Sequence, residues 1–344
     1  MGEGRAILTV TLNAAVDTTL ALRGALAVGA SQTAEGVVRL PGGKGVNVAR
    51  VLHTLGLPVR AIGLSGGSAA RVIAEGLAAE DIAASFLPIS GASRTNVALV
   101  NSTDGADGAD GADGDPRVTE INEPGPTVTA AEGERFLAHL DGLLPGAPAL
   151  VLSGSLPPGL PDDYYARLIE RAHAVGVPVL LDTSGRALRP GLAAGPLLVK
   201  PNETEAAQLT GRAVRGVDDA VAVAALRAMG AGAVALTLGA MGAVLVTADG
   251  AWHGRVAVAG GVSPVGSGDA FLAGLLAGLV GATTRKEAPD VARALTHEVV
   301  VRDALARAVA CGAANTLRRG AGVLDAGDVA RLEKAAEVRR LSTV

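Results

Sequence analysis

Apolar residues along the chain fall into two alternating kinds of run. Short, nearly unbroken runs rich in Val, Leu and Ala stand at 6–12 (AILTVTL), 59–64, 149–152, 177–182, 197–200 and 233–238. Each has the length and composition of a strand buried on both faces. Between them lie segments whose apolar positions recur every three or four residues. The first is 45–55, where Val46, Ala49, Val51 and Leu52 fall on overlapping faces and Gly56 marks the stop. Others are 69–79, 161–175, 203–209 and 218–229. Repeated strand–helix alternation predicts an α/β fold with a mainly parallel central sheet flanked by helices.

Two stretches break this rhythm. Residues 30–40 and 95–121 are strand-like but have no helix between their strands, and they predict a small antiparallel sheet projecting from the main body. The second contains DGADGADGADGD at 104–115. Its aspartates recur every third residue, whereas a calcium-binding EF-hand loop needs oxygen ligands at alternate positions and a late Glu. The run is expected to be a solvated hairpin tip. The most apolar stretch, 271–280, is about half a bilayer span and directly follows Asp269, so it predicts a buried helix.

Composition narrows the functional classes. Of 344 residues, 49% are apolar but only 2% aromatic, so Ala, Gly and Val fill the core, which suits helices packed closely on a parallel sheet. A formal charge of −4 leaves no footprint for nucleic acid or for an anionic membrane. Cys311 is the one cysteine, so no intramolecular disulfide forms, and a reducing cytoplasm is the expected compartment. No cationic segment followed by a long apolar run opens the sequence, so no secretory signal is expected. The five histidines show no metal-ligand spacing.

Candidate chemistry lies in two glycine-rich turns. Residues 262–274 read VSPVGSGDAFLAG: Gly266, Ser267, Gly268 and Asp269 lead into a run of helix formers. Glycines there allow a ligand close to the backbone, and the amides of an opening helical turn make a seat for an anion. Asp269 beside that seat suits a general base that takes a proton from a hydroxyl attacking phosphate, or a first-turn residue favoured by the helix dipole. Residues 41–47 (PGGKGVN) form a second turn entering a helix, with Lys44 and Asn47 able to meet a ligand. No Ser or Thr follows the lysine, so this is no Walker A loop, and no GxGxxG follows the first strand.

In these motifs, and nearly end to end, the sequence resembles the PfkB (ribokinase-like) family of carbohydrate kinases. Its first signature resembles PGGKGVNVARVLHTLG at 41–56 and its second resembles 264–274. Between them, KPNETE at 200–205 resembles the N-x-x-E motif, and TLGAMG at 237–242 the nucleotide-binding turn. The resemblance implies one ribokinase-like domain over 1–344, with a β lid from about 14–40 and 92–122 inserted in it and a homodimer built through that lid. It also implies ATP and Mg²⁺. Lys200, Asn202, Thr237, Gly239, Gly242 and Asn315 would then serve the nucleotide, Glu205 the metal, and Asp269 the proton transfer at Gly266, Ser267 and Gly268.

More specific strings resemble the 1-phosphofructokinase and tagatose-6-phosphate kinase branch: TLNAAVD at 11–17, SRTN at 93–96, TEINEPGP at 119–126, LSGSLPPG at 152–159 and DTSGRAL at 182–188. Asp17 would accept hydrogen bonds from sugar hydroxyls, and Gly42, Gly43 and Asn47 would allow close approach. Lys44 and Arg94 would neutralise the phosphate the substrate already carries. Ser153 fits a sugar-phosphate contact or an ordinary strand-end serine equally well. The implied reaction converts fructose 1-phosphate to fructose 1,6-bisphosphate. Fructose 6-phosphate and tagatose 6-phosphate are alternative acceptors, and a catalytically silent sugar-phosphate sensor is a rival of another class. Ala14 and Pro264 depart from the branch pattern, where proline and threonine are usual. Residues 284–300 read as added polar material before a C-terminal helix at 302–317.

Overall fold

The computed structural model describes residues 6–102, 118–219, 225–281 and 290–342. The chain opens with β1 (Ile7–Thr11), then β2 (Ala15–Arg23) and β3 (Gly36–Gly42), before α1 (Lys44–Thr54). There follow β4 (Val59–Ser65), α2 (Gly67–Ala79), β5 (Ala83–Pro88), β6 (Arg94–Ser102), β7 (Val118–Asn122) and α3 (Ala130–Leu143). The alternation resumes with β8 (Leu150–Ser153), α4 (Tyr164–Ala174), β9 (Val179–Asp182), α5 (Leu188–Ala193), β10 (Leu198–Val199), α6 (Glu203–Thr210) and β11 (Ala233–Thr237). Last come β12 (Ala243–Val246), β13 (Ala251–Arg255), α7 (Ser267–Gly281), α8 (Val291–Ala294), α9 (Glu298–Thr316), α10 (Ala326–Ala335) and β14 (Glu337–Leu341).

Ten strands form one sheet in the order β14-β13-β12-β11-β10-β9-β8-β1-β4-β5. From β11 to β5 every pairing is parallel, and β12, β13 and β14 extend the sheet antiparallel at one edge. Period-two alternation sends successive side chains to opposite faces. Ile7, Val151, Leu180, Leu198 and Ala235 thus pack into one apolar cluster with α1, α2, α7 and α9. Leu8, Leu152, Leu181, Val199 and Leu236 pack into the other with α3, α4, α5 and α6. Strands buried on both faces explain the unbroken apolar runs in the sequence.

Four further strands form a second sheet, ordered β3-β2-β6-β7. The expected all-antiparallel arrangement is corrected: β2 and β6 pair in parallel over nine rungs, and only the outer pairings are antiparallel. The cause lies in the central sheet. β2 continues from β1 and β6 from β5, and β1 and β5 run the same way, so both enter the second sheet in one direction. The strand expected at 30–40 begins only at Gly36. The long C-terminal helix starts at Glu298, so the last part of the supposed added segment belongs to it. The repeat at 104–115 lies outside the described residues, as do 284–289 and part of the helix expected at 218–229.

Small residues decide the closest helix contact. A Cβ on Gly274 would lie 2.7 Å from the Cys311 Sγ, and one on Gly278 would lie 2.5 Å from the Ala304 Cα, so α7 and α9 pack nearly backbone to backbone. Cys311 is fully buried there, and burial pushes its thiol up to about 12. Among the described residues no helix is long and apolar enough to cross a membrane, and the apolar 271–280 lies in the buried α7. Gly278→Val should therefore lower stability by about 1–3 kcal/mol through overpacking. Urea unfolding would check this; an unchanged midpoint would show that the two helices do not meet so closely.

Candidate active site

Parallel strands place their carboxyl ends along one edge of the sheet, where a crevice outside those ends can hold a ligand. A cleft of about 1550 Å³ opens there, lined from the central sheet by Thr11, Ser153 and Thr237, from helix starts by Lys44 and Asp269, and from the second sheet by Asp17, Asn96 and Glu120. Arg94 borders this cleft and also a smaller pocket of about 500 Å³ with Glu123 and Gly125.

A tight glycine turn opens a helix where the sequence placed the candidate anion seat. Gly266 has φ +83°, and a Cβ on it would lie 2.7 Å from the Ala321 Cα and the Gly322 N, so only glycine fits. α7 then starts at Ser267, and Gly268 and Asp269 of its first turn line the cleft. First-turn amides lack partners within a helix and so face outward to a ligand. Opposite them stands Lys200, whose Nζ would be 3.4 Å from a Cβ on Gly268.

Asp269 is 5% exposed and accepts a 2.8 Å hydrogen bond from the Asn47 Nδ2. Burial raises its carboxyl to about 7; Lys44, Asn47 and Lys200 oppose the rise, whereas the Asp182 charge adds to it. Behind it lies a charge cluster: Asp182, fully buried, meets the Lys44 Nζ at 3.2 Å and the Lys200 Nζ at 3.3 Å. Burial would lift Asp182, but Lys200 and then Lys44 outweigh it and hold the carboxyl below its usual range. Lys200 is 4% exposed, whereas Lys44 at 39% reaches the open cleft. Asp182 in turn raises Lys44 above the usual lysine range.

One side of the cleft is built on the first rungs of the second sheet. Asp17 accepts 2.8 Å from the Asn96 Nδ2, and its carboxyl is raised, chiefly by burial. Gly42 is obligatory beside it, because a Cβ would come 2.2 Å from the Asp17 Cγ. Gly43, with φ +101°, precedes α1, and a Cβ there would meet the Thr11 Cγ2 at 2.6 Å. Arg94 donates from Nε to the Asn13 carbonyl at 3.2 Å and from Nη1 to the Glu123 carbonyl at 2.9 Å. Burial holds its guanidinium below the usual range. Among the described residues the buried Thr11 Oγ1, Asn13 Oδ1, Asn96 Oδ1 and Ser153 Oγ have no protein partner, and all four residues line the cleft. Buried polar atoms left open around one cavity are fitted to a polar ligand.

On the other side, Thr237, Gly239 and Gly242 line the cleft at the turn from β11 to β12. Asn202 and Glu205 form a reciprocal cap on α6: the Glu205 amide donates 2.8 Å to the Asn202 Oδ1, and the Asn202 amide donates 3.0 Å to the Glu205 Oε2. Asn202 and Glu203 line the cleft, with Glu205 buried behind them. Asn315 is placed differently from expectation. It is fully buried, donates 2.8 Å to the Val265 carbonyl and accepts 2.9 Å from the Gly322 amide, so it braces the Gly266 turn from behind. The residues that sequence reasoning missed are Asp182, Asn13, Asn96 and Glu120. Asp182 carried a signal, an acidic residue closing the apolar strand VLLD; Asn96 lies in the SRTN string, but its place beside Asp17 comes only from their pairing.

The family profile for pfkB family carbohydrate kinases matches residues 10–326. Phosphofructokinase-2 from Escherichia coli, solved in complex with substrates and products, superposes with a TM-score of 0.81 at 25% identity, covering 96% of this chain and 98% of its own. A possible 1-phosphofructokinase from Thermotoga maritima superposes with a TM-score of 0.79 at 23% identity, over 98% and 100% of the two chains. Arabidopsis thaliana ribokinase complexed with ribose and ATP gives 0.67 at 22%, over 96% and 99%. The last two speak to the fold alone, which is ribokinase-like. With a match over nearly its whole length, the chain belongs to the pfkB family of carbohydrate kinases.

Proposed function

We propose that this chain transfers the γ-phosphoryl group of ATP to a ketohexose phosphate, with fructose 1-phosphate as the acceptor. The observation that carries this is Asp269: a buried carboxylate held by Asn47, poised near neutral pH, beside the first-turn amides of α7. A carboxylate there would only repel a resident phosphate, but it can take the proton from an attacking hydroxyl. The C6 oxygen forms the new bond to phosphorus, the bridging bond to ADP breaks, and the hydroxyl proton passes to Asp269. Amides at Gly268 and Asp269, with Lys200 opposite, face the charge on the transferring group.

Thr237, Gly239 and Gly242 bound the nucleotide side, and Asn315 acts through the turn it braces. Asp17 and Asn96 hold sugar hydroxyls, and Lys44, Arg94 and Ser153 receive the phosphate already present. Asn202 and Glu205 are the residues that would hold Mg²⁺, and when bound it supplies charge neutralisation between phosphates. The second sheet, β3-β2-β6-β7, is the lid of a single kinase domain and the face through which two copies pair. Retention of Asp269 and both glycine turns speaks against a silent sensor.

Asp269→Asn should lower kcat by about 10²–10⁴-fold. The parent should lose kcat/KM on the acid side of about pH 7, where the base is protonated. The same change should stabilise the free enzyme. A carboxyl raised on folding contributes stability that is lost as pH rises through its folded value, and asparagine does not titrate. The variant's melting temperature should exceed the parent's by several degrees at about pH 8, with the gap closing toward about pH 4. Near-parental turnover, or equal melting curves across this range, would overturn the assignment of Asp269.

Substrate class rests on Arg94. An unpaired guanidinium in a closing cleft is costly to desolvate unless a ligand anion meets it. Arg94→Ala should weaken phosphosugar binding by about 2–4 kcal/mol while leaving the KM for ATP nearly unchanged. Measuring kcat/KM for fructose 1-phosphate, fructose 6-phosphate, tagatose 6-phosphate, fructose and ribose decides the point. Equal use of free and phosphorylated sugars would sink the phosphosugar reading; preference for a 6-phosphate would replace only the named acceptor.

A further inference from the structure

Arg50 lies outside the cleft lining, is 7% exposed, and spends its guanidinium on internal partners. Nη1 donates 3.3 Å to the Asn47 Oδ1 and 2.9 Å to the Ala321 carbonyl. Nη2 donates 2.8 Å to the Pro41 carbonyl and 3.0 Å to the Glu80 Oε1, while Nε meets the Glu80 Oε2 at 2.5 Å. One residue thus joins the start of α1, the loop behind the Gly266 turn and the end of α2. Its ion pair with Glu80 offsets the charge, which still helps to lower the Asp17 carboxyl, and what reaches Asp269 is mainly a direction.

That direction falls on an amide that could otherwise turn over. A half-turn of the Asn47 side chain exchanges Oδ1 and Nδ2. Guanidinium has only donors, so Nδ2 toward Arg50 would set donor against donor, and Oδ1 toward Asp269 would set acceptor against carboxylate. With Oδ1 held by Arg50, Nδ2 points to the Asp269 Oδ2 at 2.8 Å. We infer that Arg50 is a positioning residue: its bond to Asn47 fixes that amide as a donor to the Asp269 carboxylate and so sets the basicity of the proposed base. The inference rests on the kinase reading only for its catalytic consequence. Lys44 on α1, Asp182 at the end of β9 and Lys200 after β10 also face Asp269, and none of the three is a partner of Arg50.

The test is a ¹³C-carboxyl NMR titration of the full-length protein without substrate, with the Asp269 signal assigned by its loss in Asp269→Asn. Arg50→Met should move the Asp269 midpoint upward from about 7 by about one pH unit. Asn47→Leu should move it at least as far, and the double variant no further than Asn47→Leu alone, because Arg50 acts on Asp269 only through the amide of Asn47. The acid limb of kcat/KM should follow the NMR midpoint, a shift that a loss of packing alone would not produce. An unmoved midpoint in Arg50→Met, or additive shifts in the double variant, would overturn the inference. Should Arg50→Met fail to fold, Glu80→Gln decides, since it leaves Arg50 on Asn47: the midpoint should stay put, and a fall would show a through-space charge effect in place of orientation. If the parent phosphorylates no sugar phosphate, the functional reading fails while the titration still answers this question.

Discussion

Asn47 and Asp269 stand 222 positions apart in the chain and 2.8 Å apart in space. A carboxylate buried this deeply must keep a donor or give up its charge. Supplying that donor fixes the start of α1 against the start of α7, and the two glycine-rich turns with them. Gly45 sits so tightly that a Cβ would lie 2.3 Å from the Val10 carbonyl, and Gly322 would bring one within 2.8 Å of the Asn47 carbonyl. Backbones at such distances leave one arrangement of the helix starts, and the cleft is what that arrangement leaves open.

Scarcity of aromatic side chains acts in the same sense. A core of Ala, Val, Gly and Leu cannot fill space with a few large groups, so it brings main chains together. The α7–α9 contact through Gly274 and Gly278 is the clearest instance. Trp252, with Tyr164, Tyr165 and Phe136, supplies what bulk there is, and all four are fully buried.

The sequence was most readable where one local rule governed the outcome. Strands buried on both faces have unbroken apolar runs, and glycines at positive φ can hardly be replaced, so the central sheet and both phosphate-type turns could be located. Helix α3 is not among the helices that the apolar spacing predicts, although its Thr129–Glu132 capping box is complete. Strands β12 and β13 follow β11 with no helix between them to announce them, and β14 joins this antiparallel edge only after four helices. Within the cleft, Asp269 was legible from its motif. Asn315 was misplaced because a polar residue on a helix flanking a cleft can brace a loop as readily as touch a ligand, and sequence carries no sign of which. Asp182 and Asn96 depend on pairings between distant segments, which only the fold creates.

The parallel pairing of β2 with β6 has a mechanical side. Its first rung joins Ala15 to Arg94, while Ala15 also pairs with Gly42; its last described rung joins Arg23 to Ser102. The chain enters and leaves this sheet beside the first rung, through the connections to β1, α1, β5 and α3. Any swing of the sheet therefore has its fulcrum there, and displacement grows with distance along the lever. Arg94 and Asp17 lie next to the fulcrum, and Arg23 lies at the free end. A swing that sweeps the far rungs through space leaves the near ones almost still, so the places of Asp17 and Arg94 at the cleft depend little on where the far rungs lie.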